Sequence, residues 1–561
     1  MRHRQEAMQN RSSQELTIAL ALGVAYCVVQ WPLFDRMIIP MDEGHLAATA
    51  QWMLNGQRLY ADLHTGIFPG IYLMTAGLFT LFGSDLVVTR IAAAGINLLI
   101  GLSLWRIAKR MVSPSWCLAP PALHMALIAF AFPVLSMFNY STTALCFALL
   151  SLLFLLRYFE GGRMLDGLGL GLFVAATTLT KQNFGALTFL ALALSLFWGH
   201  RGSALGTRKL FSALGPIVIA GLAITGVVIL WMVTTGLFPF FIDRTILTLG
   251  GSQLQHFDNP IPPLFGSHPE TGRFTFLYTP PALFDALVHG QPFLGLNVDQ
   301  SLRSAAIRIS YGTPLVVLIG GLAWLGRSFK EPASRNQTAT RSVVVFASLF
   351  SLGIFPSAIW SHLAFVLPPI SLVAVLLADR FTRWLGGRRG LGPLRVWRFG
   401  VAVGSFFLLA IVIARTQDVV RWNSEPLNLE RAHLMVSEHT ASLLTEAVEY
   451  IDDCAKPGDA IVALPDIPVV WFLVDRPNVS RFDLAIPGAV DGEEIVLGMK
   501  SSTVRCVVMN PHMYPEFPPF KLLYPNVAAH LEAEFGVARV LSSSDPHWFG
   551  MVRRGSRFSP Q

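Results

Sequence analysis

The chain has 561 residues, of which 53% are hydrophobic and only 14% charged, against about 25% charged in an ordinary soluble protein. So little charge cannot cover so much apolar surface in water. A polytopic membrane protein is therefore the first reading, and a disordered chain, a collagen-like chain or (with five Cys) a disulfide scaffold is excluded. The net charge of +7 does not indicate nucleic acid, because the basic residues lie in short loops between apolar runs, where they report topology.

In chain order, segment 16–34 is too long and too apolar for a cleavable signal peptide, and it lacks a small-x-small cleavage site. It is predicted to be a first membrane helix that serves as its own insertion signal. Further apolar runs of helical length fall near 86–105, 116–137, 141–157, 165–180, 184–199, 211–236, 306–326, 342–359, 363–379 and 399–415. The sequence thus predicts eleven spans of a hydrocarbon core about 30 Å thick.

A twelfth apolar run, Phe68–Gly83, is read as a helix lying in the interface. With it left uncrossed, the loops carrying Arg106, Lys109, Arg110, Arg208, Lys209, Arg327, Arg341, Arg383 and Arg398 all fall on one side. Positive residues favour the cytoplasm, so the N-terminus is expected inside and the C-terminus outside, as in a bacterial inner-membrane protein. The outer side then carries the loop 35–85, the loop 237–305 and the tail.

The expected architecture is an α-helical polytopic domain over 1–415, followed by a soluble α/β domain over 416–561. In the tail, Ser442–Cys454 is amphipathic and KPGDAIVALP reads as a turn and a short buried strand. RCVVMN reads as a second strand, Val527–Phe535 as a helix, and Val537–Ser542 with Trp548–Arg553 as a terminal pair joined by the DPHWFG turn. Cys454 and Cys506 are expected as buried thiols, with a disulfide as the other reading.

Chemistry on a lipid-borne substrate needs polar groups near headgroup depth, and the sequence concentrates them on the outer side. Asp42 and Glu43 follow the first span, where a carboxylate pair can take a proton from an attacking hydroxyl. The other reading makes Asp42 the cap of a helix His45–Asn55. Lys181, in TTLTKQNFG, is either a phosphate contact or the snorkelling end of a helix. Arg58, His64 and Arg90 are further candidate phosphate donors or interfacial anchors. His362, in WSHLAFVLPP, lies where a span re-enters from the outer side. No HExxH, CxxC or calcium-loop spacing is present, and the sequence leaves open whether a divalent metal assists.

The stretch DEGHLAATAQWMLNGQRLYADLHTGIFPGIYLMTAGLFTLFGSDLVVTR resembles the first outer loop of the C-superfamily membrane glycosyltransferases. The resemblance is to the branch holding protein O-mannosyltransferases and aminoarabinose transferases (glycosyltransferase family 39 and relatives). It rests on Asp42-Glu43, Met53–Gly56, Tyr60, Pro69, Phe82-Gly83 and Arg90, and it continues through Lys181 and His362. Two positions depart from the pattern. Ile67 and Phe68 stand where aminoarabinose transferases carry a lysine, and Asn139 and Tyr140 stand where the family has a second acidic residue.

The resemblance implies a polyprenyl-phosphate-linked sugar donor and a lipid, glycan or protein acceptor, joined on the outer face with inversion. Asp42 would act as base or orient the acceptor, and Lys181, with Arg58 and His64 behind it, would hold the departing phosphate. A secondary transporter and a non-catalytic member of the same fold are the alternatives. Almost charge-free spans and the absence of half-to-half symmetry argue against transport.

Overall fold

The computed structural model describes residues 2–201, 207–330, 335–388, 391–501, 504–512, 518–541 and 548–555. Among them, eight helices are long and apolar enough to cross a membrane: Ser13–Gln30, Leu86–Ala108, Tyr140–Gly161, Leu214–Thr234, Gln300–Ser328, Asn336–Ile354, Trp360–Gly387 and Gly392–Trp422. Shorter apolar helices occupy Gly70–Phe82, Pro114–Phe130, Met164–Thr180 and Gln182–Trp198. The fold class is as expected, a multi-pass helical protein with a small C-terminal α/β unit. Of the eleven predicted spans, eight fall on helices of full length and three on the shorter apolar helices.

The run 116–137 shows why. Its helix covers only Ala119–Phe130, started by Pro120 and Pro121 in the first turn, where their missing N–H groups cost nothing. It stops before Pro133, which cannot supply the next helical hydrogen bond. Elsewhere the helices approach closely at small residues. A Cβ on Gly171 would lie 2.0 Å from the carbonyl oxygen of Ile217, so the helix Met164–Thr180 and the long helix Thr207–Thr234 touch backbone to backbone.

The last long helix runs over Leu391–Trp422, past the boundary expected at residue 415. Arg415, which ended the apolar run in the sequence, is fully buried. It is paired with Asp285 of the second large loop. Neutralised by that carboxylate, the guanidinium does not break the helix.

Beyond it, strands Glu425–Leu429 and Ala432–Val436 form a hairpin. A four-stranded sheet then runs in the order Val462–Leu464, Cys506–Met509, Trp548–Arg553, Phe535–Leu541, with the first pair parallel and the others antiparallel. Helices Glu438–Cys454 and Pro525–Glu534 match the two predicted in the tail. Of the expected DPHWFG turn, residues 545–547 lie outside the described residues, and Trp548, Phe549 and Gly550 open the last strand. Cys454 and Cys506 are joined in a disulfide, not left as the two buried thiols the sequence favoured. The pairing links the helix Glu438–Cys454 to the second strand.

This unit shares its core with the first loop region. Ala47, Ala48, Ala50 and Trp52 of the helix Asp42–Leu54, and Ala76 and Phe79 of the helix Gly70–Phe82, pack with Leu434, Leu444, Val470, Trp471 and Phe472. Trp52 meets Trp471 edge-on at 5.9 Å and donates Nε1–H to the carbonyl of Arg476, while Phe79 stacks on Phe472 at 5.5 Å. The Met37 N–H donates to the carbonyl of Met435 at 2.8 Å, and the Met435 N–H donates back to Asp35 at 2.7 Å. The tightest contact is at Gly44, where a Cβ would sit 2.2 Å from the amide nitrogen of Val469. Only a residue without a side chain lets the two backbones meet there.

Candidate active site

The helix carrying the acidic pair begins at Asp42 itself, with Met41 in the cap position and no side-chain capping bond. The capping reading of Asp42 is therefore not realised. Its carboxylate makes no hydrogen bond or ion pair with any described residue, and it is open to solvent. It is nonetheless hemmed in by protein, which strips away most of its water. That desolvation pushes its acidity constant up to about 6, against the pull of His45 and with the help of Glu43. Asp42 is thus crowded by protein and yet reachable from water.

Glu43 has the opposite environment. It is buried, and its two oxygens accept from Arg90 Nε at 2.6 Å and Nη2 at 2.5 Å, with the Ile39 N–H donating a further bond at 3.0 Å. Arg90, 0% exposed, also donates to the carbonyls of Arg36 and Met37. The predicted reacting residue Glu43 and the predicted phosphate donor Arg90 are thus spent on each other. Together they pin the chain leaving the first span to the start of the next.

One turn after Asp42, on the same side of the helix, stands His45. Its Nδ1 lies 2.7 Å from Asp483 Oδ2 of the C-terminal unit and its Nε2 lies 3.0 Å from the Tyr72 hydroxyl. Tyr72 in turn lies 2.5 Å from Thr65 Oγ1. The sequence gave no warning of either His45 or Asp483, since their partnership spans more than four hundred residues.

Lys181 joins the helices Met164–Thr180 and Gln182–Arg201. The same corner abuts the first loop region. A Cβ on Gly70 would sit 2.7 Å from the Leu179 carbonyl, and Gln182 Nε2 donates to the Gly66 carbonyl at 2.7 Å. Only 7% of Lys181 is exposed. Its ammonium donates to Ser141 Oγ at 2.8 Å and faces the rings of Phe184, Tyr140 and Phe365 at 4.2, 5.2 and 5.8 Å. Among the described residues no carboxylate forms an ion pair with it. Tyr140 lies within electrostatic reach of Tyr72, as does Asp42, so the lysine corner and the acidic helix border one region.

The remaining predicted residues have other surroundings. Arg58 is exposed and forks onto Asp62 at 3.1 and 3.0 Å. Tyr60 is buried, with φ of +68°. Its hydroxyl donates to the Ile67 carbonyl and its ring packs on Phe241, which fixes the shape of the loop. Asn139 caps the helix Tyr140–Gly161 by accepting from the Thr142 N–H at 2.8 Å. His362 lies 2.6 Å from the Ser357 carbonyl through Nδ1 and is an electrostatic neighbour of Lys181.

His64 is 6% exposed, packs on Phe482, and has no hydrogen-bond partner at either ring nitrogen among the described residues. Burial, followed by the charges of Arg244, Arg481 and His45, lowers its acidity constant to about 3. It is a neutral imidazole at physiological pH. Among the described residues, no three His, Cys, Asp or Glu side chains converge as a metal-ligand set.

Residues 65–231 match the family profile described as dolichyl-phosphate-mannose-protein mannosyltransferase. No curated protein sequence matches the chain significantly. Among solved structures, the chain superposes on ArnT from Cupriavidus metallidurans bound to undecaprenyl phosphate. The TM-score is 0.53 at 14% identity, over 98% of this chain and 99% of that one. It shares the fold of that protein. The apo form of the same ArnT gives 0.53 at 15% identity over 97% and 98%. The oligosaccharyltransferase of Archaeoglobus fulgidus gives 0.50 at 12%, over 96% of this chain and 73% of that one. The family match takes in Lys181, Arg90, Asn139 and Tyr140 and begins after Asp42. The end-to-end superposition on ArnT takes in the C-terminal unit as well.

Proposed function

We propose that the chain is a membrane glycosyltransferase that moves a sugar from a polyprenyl-phosphate carrier to a lipid, glycan or protein acceptor, with inversion at the anomeric carbon. The observation that carries this reading is a pair of opposite charges bordering one region: a solvent-reachable carboxylate, Asp42, and a buried ammonium, Lys181, that forms no ion pair with any described residue. A buried unpaired charge is costly, and an anionic ligand at the lysine would relieve that cost. The matched family is described by a dolichyl-phosphate donor, and ArnT has been seen with undecaprenyl phosphate.

In the proposed reaction the acceptor hydroxyl attacks the anomeric carbon and passes its proton to Asp42. The bond from that carbon to the phosphate oxygen breaks, and its electron pair leaves on the carrier phosphate. Lys181 would stabilise that developing charge in surroundings poor in water. Tyr140 and His362 flank the lysine on the same corner. By the distribution of basic residues, the site faces away from the cytoplasm. We place the chain in a bacterial inner membrane with its C-terminal domain outside.

The test is to disrupt the protein in its host, compare extracted glycolipids and envelope glycans by mass spectrometry, and complement with the parent or with Asp42→Asn. The parent should restore the missing glycan and Asp42→Asn should not, although both insert equally. An unchanged glycan profile in the disrupted host, or restoration by Asp42→Asn, would overturn the reading.

A further inference from the structure

The C-terminal domain reaches the reaction site through one side chain. Asp483 is 3% exposed, and among the described residues its only hydrogen-bonded partner is His45, at 2.7 Å. A carboxylate so buried is tolerable only when paired. The other imidazole nitrogen faces the Tyr72 hydroxyl at 3.0 Å, and Tyr72 faces Thr65, whose hydroxyl already accepts from the Ile67 N–H. A doubly protonated imidazole satisfies every member of this chain. Nδ1–H donates to Asp483, Nε2–H donates to the Tyr72 oxygen, and the Tyr72 O–H donates to Thr65.

We propose that Asp483 is a positioning residue of the reaction site, clamping His45 as a cation beside Asp42 so that Asp42 stays ionised and able to accept a proton. This rests on the reading of Asp42 as the base. It gives the C-terminal domain a part in the chemistry, since the membrane helices alone would leave His45 without its anchor.

The charges around His45 support the cation. Asp42 and Asp483 favour it. His64 is neutral, and Arg244 and Arg481 act on His64, beyond which their own carboxylates, Asp243 and Glu494, offset them. Glu43 is neutralised by Arg90. Burial opposes protonation of His45, but Asp483 and then Asp42 outweigh it and leave the imidazole more basic than usual. In return, His45 is the group that holds the Asp42 carboxyl down against desolvation.

The experiment uses the full chain in nanodiscs and follows the rate at which a water-soluble carbodiimide modifies Asp42, read by peptide mass spectrometry across pH 4–9. This readout needs no sugar donor. Asp483→Asn and His45→Gln should each move the midpoint of Asp42 modification upward by about one pH unit. Their double variant should move it no further than either alone, because both act through one imidazole. Asp483→Glu should restore most of the parent midpoint. Should Asp483→Asn fold poorly, as judged by thermal unfolding, His45→Gln carries the test alone.

Midpoints that coincide with the parent in both variants, or a double variant that shifts by the sum of the singles, would overturn the proposal. Failure of the base reading is seen separately. If Asp42→Asn restored the glycan in the complemented host while the modification midpoint still shifted, the coupling would stand and the role of Asp42 would fall.

Discussion

Glu43 grips Arg90 at two points, both partners out of reach of water, while its chain neighbour Asp42 is open to solvent. Two adjacent carboxylates thus have different uses, one holding the scaffold and one left free to react. Removing one member of a buried charge pair leaves the other uncompensated, which costs about 3–5 kcal/mol. Glu43→Ala is therefore expected to lower thermal stability in detergent by that amount, and Arg90→Lys to lower it as well, since an ammonium cannot reproduce the two-point fork. Asp42→Asn should not lower stability at neutral pH. Equal thermal profiles for Glu43→Ala and the parent would refute the assignment.

The acidity of Asp42 sets a pH dependence with a definite sign. Folding lifts its carboxyl from an ordinary value near 4 to about 6, so between those values the folded protein keeps a proton that the unfolded chain has released. Its contribution to stability is full below about pH 4 and is lost as pH rises through about 6. As a base it must be ionised, so turnover should climb through pH 6 and level off above it. Asp42→Asn should flatten the stability profile between pH 4 and 6 and leave no measurable turnover, a loss of about 10²–10⁴-fold. An acid limb near pH 4 in the parent would contradict the crowding of Asp42.

Lys181 separates a functional charge from a structural one. Lys181→Met keeps the length and removes the ammonium, which among the described residues donates to Ser141 and faces aromatic rings without an ion pair. Turnover is expected to fall by about 10²-fold or more, as on loss of a charge-stabilising donor, while the melting temperature stays level or rises because a buried unpaired charge has gone. A fall in melting temperature with turnover intact would mark Lys181 as a helix-ending residue and nothing else.

Gly44 tests the docking of the C-terminal domain. A methyl group there would lie 2.2 Å from the amide of Val469, a contact that only backbone displacement relieves. Gly44→Ala should cost about 1–3 kcal/mol and speed proteolysis near Asn423–Ser424, between the last long helix and the hairpin. Gly56→Ala, at a site with open space but a φ of +94°, should be strained locally without exposing that junction. Identical cleavage rates for Gly44→Ala and the parent would show the close approach to be unimportant.

The helices were legible because apolar run length is a local signal. The bundle, the helix Gly70–Phe82, and most of the tail's strands and helices could be read without any knowledge of what they touch. The ends of elements were less legible wherever a distant partner changed the meaning of a residue. Arg415 looked like the end of a span until Asp285 neutralised it, and Pro133 cut short a run that hydrophobicity alone carried further. At the site, the order of Asp42, Glu43, Arg90 and Lys181 along the chain singled these residues out as a group. It did not tell Asp42 from Glu43, because only the fold shows which carboxylate Arg90 has claimed. Arg58 and Asn139 were drawn into the site by type and turned out to be engaged locally, with Asp62 and with a helix start. His45 and Asp483 carried no pattern at all, and neither did the need for glycine at position 44.

The shared core of the first loop region and the C-terminal unit also constrains how the protein is made. Trp52 and Phe79 leave the ribosome early, yet Trp471 and Phe472, the rings that cover them, are synthesised some four hundred residues later. Throughout that interval the nascent chain carries an uncovered apolar surface on the segment that bears Asp42. A message truncated after Trp422 would therefore yield a membrane bundle whose acidic helix never acquires its packing partner, making the final quarter of translation a checkpoint for the whole molecule.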